Sequence, residues 1–202
     1  MLDIDSTDPV GTLVLTLLSQ STTDRQAQAA YDSLRLAFPS WDEVLAADPG
    51  EVAELIKAGG LNHQKAARIQ AILARLQEET GELSLDWLKG KDVQEAREFL
   101  ESLPGVGPKT AACVLLFALD MPGLPVDTHV ARLARRLGLV EAKASAVRIQ
   151  RELEAMVTPQ AARHFHLALI EHGRTLCRPR RPRCSACALR GECNHREDSP
   201  VP

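Results

Sequence analysis

Four cysteines stand near the end of the chain at Cys177, Cys184, Cys187 and Cys193, spaced C-x6-C-x2-C-x5-C. Four thiolates within 17 residues can close a tetrahedral metal site or hold an iron–sulfur cubane, and spacing alone does not choose between them. A zinc knuckle commonly offers two C-x2-C pairs, whereas this chain has one, Cys184 and Cys187. No histidine or carboxylate stands at matching ligand spacing, so the centre reads as structural, with no open position for chemistry. Between its first two cysteines run Arg178, Pro179, Arg180, Arg181, Pro182 and Arg183. Two prolines stiffen that loop, and its four guanidiniums suit a phosphate backbone.

A second place for an anion lies upstream, where Leu103-Pro104-Gly105-Val106-Gly107 runs into Pro108-Lys109 and an apolar helix. The glycines permit a tight turn and close backbone approach. The helix that follows presents free N–H groups and the positive end of its dipole. Such a segment is either a phosphate cradle or an ordinary turn between helices, with Leu103 and Val106 tucked inward. Lys109 falls near the second position of that helix, where the dipole disfavours a cation. A charge in an unfavourable place suggests use, as a phosphate partner or as a nucleophilic amine. The bland alternative is a surface lysine. Asp127, in Val126-Asp127-Thr128-His129, is a good N-cap. It could also take a proton from Lys109 or stabilise positive charge on a sugar. His129 reads as a packing or hydrogen-bonding histidine.

The rest of the chain must position these groups. At 202 residues, 45% of them apolar, it can bury a full core as one large domain or two small ones. Net charge is −3, which by itself predicts no nucleic-acid partner, but the distribution does. Residues 1–100 carry 9 Lys/Arg against 17 Asp/Glu, a net of −8, and residues 101–202 carry 15 against 10, a net of +5. The second half would steer an anion. No secretion signal or membrane-length apolar run is visible, so a cytoplasmic chain with reduced cysteines is expected, and no membrane partner. Cys113, alone in an apolar helix, reads as core.

The pattern is helix after helix, about ten of them, with no alternating strand. Asp8-Pro9 and Asp48-Pro49 are starts with an acceptor before a first-turn proline. Ser40 with Glu43 forms a capping box. The segment 62–80 places Ala66, Ile69, Leu73 and Leu76 at helical spacing and ends at Gly81. Thr158-Pro159 starts a helix with Phe165, Leu169 and His172 on one stripe, and Gly173 is expected to end it. The clearest break falls at Met121-Pro122-Gly123. It predicts lobes over 5–121 and over 122–202 with residues 1–4, a cleft between them uniting Lys109 and Asp127, and a frayed tail over 196–202.

Taken together these residues resemble endonuclease III and the helix-hairpin-helix DNA glycosylases. Leu18–Asp24 is similar to that family's early segment, and Gly60–Ala66 to its wedge loop. Leu103–Ala111 resembles its hairpin, Val126–His129 its catalytic carboxylate segment, and the cysteine spacing its four-iron, four-sulfur signature. The order of the pieces is also the family's. The resemblance implies an all-α, two-lobed fold, a six-helix barrel lobe with a helical cluster lobe. It implies a bifunctional base-excision N-glycosylase and AP lyase that removes oxidised pyrimidines from duplex DNA. Lys109 would attack C1′, expel the base and form a Schiff base; β-elimination would cut the strand, and Asp127 would activate the lysine. The partner would be double-stranded DNA with a damaged pyrimidine or an abasic site, met by a monomer at the nucleoid. Gln20 and Leu61 match residues that fill the space vacated by the flipped base. Gly105, Val106, Gly107, Arg178, Arg180, Arg181 and Arg183 would hold phosphates. The cofactor would be a 4Fe-4S cluster on Cys177, Cys184, Cys187 and Cys193.

This chain departs from the family's pattern in three places. Only about eight residues precede the first helix, which would leave the cluster lobe less covered. Pro108 takes a position that is often basic. Asn62, His63 and Gln64 differ from the common wedge-loop residues, which bears on lesion preference. A uracil or thymine mismatch glycosylase is the runner-up on the same scaffold. A metal-bearing redox regulator is the reading from another class, and it has no use for Lys109. In the sister adenine glycosylases, which lack the lyase step, another residue usually takes that position. Colour decides the metal: an iron–sulfur protein purifies yellow-brown with absorbance near ~400 nm, and zinc leaves it colourless.

Overall fold

The computed structural model describes residues 7–195. Among them every regular element is helical, with ten α-helices, short 3-10 turns and no strand. None of these helices is long and apolar enough to cross a membrane. The expectations for residues 1–6 and for the tail over 196–202 lie outside the described residues. The chain divides into two compact units, the first ending at Met121 and the second beginning at Pro122.

Helix α1 (Pro9–Leu18) is the core of the first unit, and all ten of its residues are buried. A helix apolar on every side can only sit inside. Asp8 starts it, accepting from the Gly11 amide at 2.8 Å, and also accepts from the Trp41 indole at 3.2 Å. The hydroxyl of Thr16 donates back to the Thr12 carbonyl at 2.8 Å, so burial leaves it satisfied. Against α1 pack α2 (Asp24–Ala37), α5 (Asn62–Thr80) and α7 (Pro108–Phe117), while α3 (Trp41–Ala46) and α4 (Pro49–Leu55) pack on α5 and α6 (Val93–Ser102) packs on α7. The starts follow local chemistry. Ser40 and Glu43 form the expected capping box, and Thr23 with Gln26 forms another. Helix α5 buries Ala66, Ile69, Leu73 and Leu76 and stops at Gly81 in the left-handed region, φ 74°, as its periodicity predicts. Helix α7 is buried from Thr110 to Phe117, Cys113 among them.

The second unit builds on α8 (Thr128–Leu137), α9 (Ala146–Met156) and α10 (Pro159–Thr175). Val130, Leu133 and Ala134 of α8 share its core with Leu124, Ile149, Leu153 and Leu169. The buried His166 holds the Pro125 carbonyl at 2.9 Å through Nδ1, which therefore carries the proton. Helix α10 does not stop at Gly173, contrary to the sequence expectation; it continues to Thr175. Gly173 serves close packing instead. A Cβ there would fall 2.8 Å from Nδ1 of His129 and 2.9 Å from the Arg132 guanidinium.

Gly11 has the same role in the first unit, because a Cβ on it would overlap Tyr31 Oη and the Asp8 carboxylate. Gly11→Ala should therefore cost about 1–3 kcal/mol as overpacking. Gly90→Ala, with nothing within 4 Å of the added atom, should change stability by less than about 0.5 kcal/mol. Urea unfolding of the pair checks this, and equal effects would contradict the packing argument.

Candidate nucleic-acid interface and cysteine centre

In the first unit the hairpin joins α6 to α7. Leu103 and Val106 are buried, and the Val106 amide closes the turn on the Leu103 carbonyl at 3.1 Å. Val106 thus anchors the turn, and neither its side chain nor its N–H faces outward. Gly105 adopts φ 77°, which a glycine allows without strain. The Arg68 side chain lies against it; a Cβ on Gly105 would fall 2.7 Å from Arg68 Cδ. Helix α7 begins at Pro108 with no side chain capping it. The amides of Lys109 and Thr110 are therefore first-turn donors without an intrahelical partner. Free donors at the positive end of a helix dipole suit an anion. Lys109 is the second residue of α7, half-buried. Its ammonium has no hydrogen-bond or ion-pair partner among the described residues.

Two further loops of the first unit carry candidate residues. In one, Leu61 is 61% exposed and held in the left-handed region, φ 49°. An exposed leucine in a conformation that disfavours branched and bulky residues is a candidate for insertion. Asn62 is not free to read a partner, because its amide donates to the Ala53 carbonyl at 3.0 Å. In the other, Gln20 follows the end of α1. Its Nε2 donates to the Gly105 carbonyl at 3.2 Å and the Thr110 hydroxyl at 3.3 Å. Gln20 is thereby tied to the hairpin, although 85 residues separate it from Gly105.

Lys65 joins the two loops, a role the sequence reading missed. Its residue is 3% exposed. Its ammonium donates to the carbonyls of Leu18 at 2.7 Å, Gln20 at 2.8 Å and Gly59 at 2.7 Å. Three donors meet three acceptors, so the cation is fully satisfied. Burial, and then the nearby Arg68 charge, push its pKa below the ordinary lysine value. The signal was present in the sequence. Lys65 falls on the apolar stripe with Ile69, Ile72 and Leu76, and a lysine there must find partners inside.

The second unit carries the carboxylate and the cysteines. Asp127 caps α8, with Oδ1 accepting from the Val130 amide at 2.8 Å. Its Oδ2 accepts no hydrogen bond among the described residues, although the Arg132 guanidinium is near enough to feel the charge of the carboxylate. His129 packs as expected, with Nδ1 3.1 Å from Arg132. All five cysteines are free thiols. Cys177, Cys184, Cys187 and Cys193 line one pocket with Leu133, Leu137, Leu176 and Pro182. Among the described residues no three His, Cys, Asp or Glu side chains converge on a point that a single ion would occupy. The thiols instead ring a pocket with apolar walls.

Three arginines of α8 brace this region, and the sequence reading did not assign them. Arg132 donates to the carbonyls of Gly173 at 2.9 Å and Cys177 at 3.1 Å. Burial is the main reason its pKa lies below the ordinary value. Arg135 donates to the Ala144 carbonyl at 2.7 Å. Arg136 reaches the carbonyls of Arg178 at 2.8 Å and Pro179 at 3.0 Å, and the Cys177 sulfur at 3.2 Å. The loop is thus held by its backbone. Arg178, Arg180, Arg181 and Arg183 are all exposed, and their guanidiniums have no partner among the described residues. The loop thus combines a fixed backbone with four guanidiniums in solvent, a pattern that suits an anion.

With this geometry in view, the chain can be compared with known proteins. Residues 14–159 match the family described as HhH-GPD superfamily base excision DNA repair protein. A DNA glycosylase of Arabidopsis thaliana is 41% identical over 162 residues, covering 80% of this chain and 55% of the relative's own length. Endonuclease III of Thermotoga maritima is 35% identical, covering 93% of this chain and 83% of the relative. A trapped covalent intermediate of endonuclease III with DNA, the estranged-adenine complex, superposes with a TM-score of 0.80 at 27% identity, covering 94% and 86%. A thermostable thymine-DNA glycosylase does so at 0.78 with 26% identity, covering 92% and 83%.

Arg136→Met tests the brace. Each charge-assisted bond contributes about 1.5–3 kcal/mol, so losing them should raise loop opening at least about tenfold. Trypsin should then cut faster after Arg180 and Arg183, the two loop arginines not followed by proline. Cleavage at the wild-type rate would show that the loop is held by something else.

Proposed function

The chain belongs to the HhH-GPD superfamily of base excision DNA repair proteins, and from that premise we propose that it is a bifunctional DNA N-glycosylase and AP lyase of the endonuclease III kind. Its substrate is duplex DNA carrying an oxidised pyrimidine or an abasic site, and a monomer suffices. The observation that carries this reading is Lys109, an unpaired ammonium on the first turn of an uncapped helix beside a glycine hairpin. The backbone amides there hold a strand phosphate, which brings the adjoining sugar within reach of the amine.

In its neutral form the Lys109 amine attacks C1′. The N–C bond forms as the bond to the base breaks, and the departing base takes a proton. The C1′–O4′ bond then breaks, O4′ takes a proton from solvent, and a protonated Schiff base is left. Loss of a C2′ proton then breaks the C3′–O bond and releases the 3′ phosphate. Asp127 is assigned the carboxylate's part: Oδ2 offsets positive charge on the sugar while Oδ1 keeps α8 capped. Gln20 and Leu61 fill the space the flipped nucleotide leaves. Phosphate contacts come from the backbone of Gly105 and Gly107 and from the four loop arginines, so affinity falls steeply with salt.

The four cysteines line one pocket, and four thiolates are the donor set that a 4Fe-4S cluster takes. Such a cluster, when bound, would be structural, fixing the loop that carries Arg178–Arg183. Likeness to a thymine-DNA glycosylase supports one second reading, excision of thymine from a mismatch.

Borohydride trapping tests the proposal on duplexes with thymine glycol, an abasic site or a G·T mismatch. Wild type should form a covalent complex on the first two, and Lys109→Ala should form none. Asp127→Asn should slow base release by a factor of about 100 or more. Base release from the mismatch alone, without trapping, would replace the lyase reading with the thymine reading.

A further inference from the structure

We propose that Lys65 is a positioning residue that locks Gln20 and Leu61 into one rigid wedge, so that both enter the duplex together. The proposal rests on the reading above, in which those two side chains fill the vacated space. Its basis is a continuous run of hydrogen bonds within the first unit. The Lys65 amide donates to the Leu61 carbonyl at 2.9 Å, and its ammonium takes the Gly59 carbonyl at 2.7 Å. Both sides of Gly60, with its φ of 65°, are therefore pinned by one residue. That leaves Leu61 fixed in the left-handed region with its side chain in solvent.

The same ammonium takes the carbonyls of Leu18 and Gln20. These lie at the end of α1, where carbonyls have no intrahelical donor and the dipole favours a cation. The Gln20 side chain then reaches Gly105 and Thr110 of the hairpin, and Thr110 adjoins Lys109 in α7. Leu61, Lys65, Gln20 and the hairpin are thus linked in series. Lys65 itself is buried and does not touch DNA; it acts through the two residues that do. Seating of the hairpin on a phosphate is transmitted to the wedge through direct bonds, of which those of the Lys65 ammonium to Leu18 and Gly59 are buried and that of Gln20 to Gly105 lies at the surface.

Two substrates separate this role from a purely structural one. A duplex with 2-aminopurine next to the lesion reports base-pair opening by fluorescence. A single-stranded abasic oligonucleotide needs no opening and reports the Lys109 chemistry alone. Lys65→Met keeps length and removes all three donors. Lys65→Gln keeps donors for some of the carbonyls and serves should the methionine variant fail to fold. The opening rate should fall about tenfold or more in Lys65→Met and less in Lys65→Gln, with single-strand trapping within about threefold of wild type in both. Amide exchange should speed up at 59–62 and 19–22 and stay unchanged in the middle of α5.

Equal losses on both substrates, normal opening by a folded Lys65→Met, or failure of both variants to fold would each overturn the proposal. Wild type and Leu61→Ala supply the control on the underlying reading. If wild type traps the single strand yet never unstacks 2-aminopurine, or Leu61→Ala opens the pair normally, the wedge reading has failed and this proposal falls with it.

Discussion

A helix that is apolar on every side can be buried whole, but its last carbonyls still require donors. That constraint shapes the first unit. Helix α1 is buried from Pro9 to Leu18, and its end lies where no water can serve the Leu18 carbonyl. The ammonium of Lys65 resolves this by taking Leu18, Gln20 and Gly59 at once. Burying a cation costs several kcal/mol, and only complete hydrogen bonding offsets it. Removing the ammonium would leave three carbonyls unmet, at about 1–3 kcal/mol for each that stays buried. The core and the loops of Gln20 and Leu61 therefore depend on the same side chain.

The second unit uses the same device with guanidiniums. Arg132, Arg135 and Arg136 all lie on α8, and all donate to backbone carbonyls outside it. A planar fork with five donors suits scattered carbonyls better than a lysine would. Two groups of arginines within residues 101–202 thus have different roles. The arginines of α8 organise the fold, and those at 178–183 remain in solvent. A count of charges cannot make that division, because it depends on which guanidiniums face carbonyls.

The two candidate phosphate sites differ in kind. At the hairpin the donors are mostly backbone amides, whose positions follow from Leu103 and Val106 being anchored in the core. At the cysteine loop they are flexible guanidiniums on a braced backbone. Backbone donors set register, and long cationic side chains add affinity that salt weakens. Pro108 fits this scheme. Proline at a first helical position gives up an amide that no carbonyl would have met, and it leaves the donors of Lys109 and Thr110 in place.

Local signals determined a good deal. The starts at Asp8, Ser40 and Asp48, the stripe of α5 and its end at Gly81 were legible because each follows from neighbours a few residues apart. The hairpin was legible for the same reason, as were the four cysteines and the acceptor at Asp127. Gly173 misled, since a glycine late in a helix can mean an end or a close neighbour, and only the packing of α8 against α10 distinguishes them. Val106 was half legible: its apolar side chain marked it as an anchor, which removes it from the phosphate contacts. Lys65 was visible as a lysine on an apolar stripe, but two of its three acceptors lie 45 and 47 residues away. Sequence alone determined the elements and the residue types fit for chemistry, because caps, periodicity and ligand spacing are short-range. Tertiary structure alone decided which cations are bound inside and which meet the solvent, because a buried charge is satisfied by carbonyls that only folding brings to it.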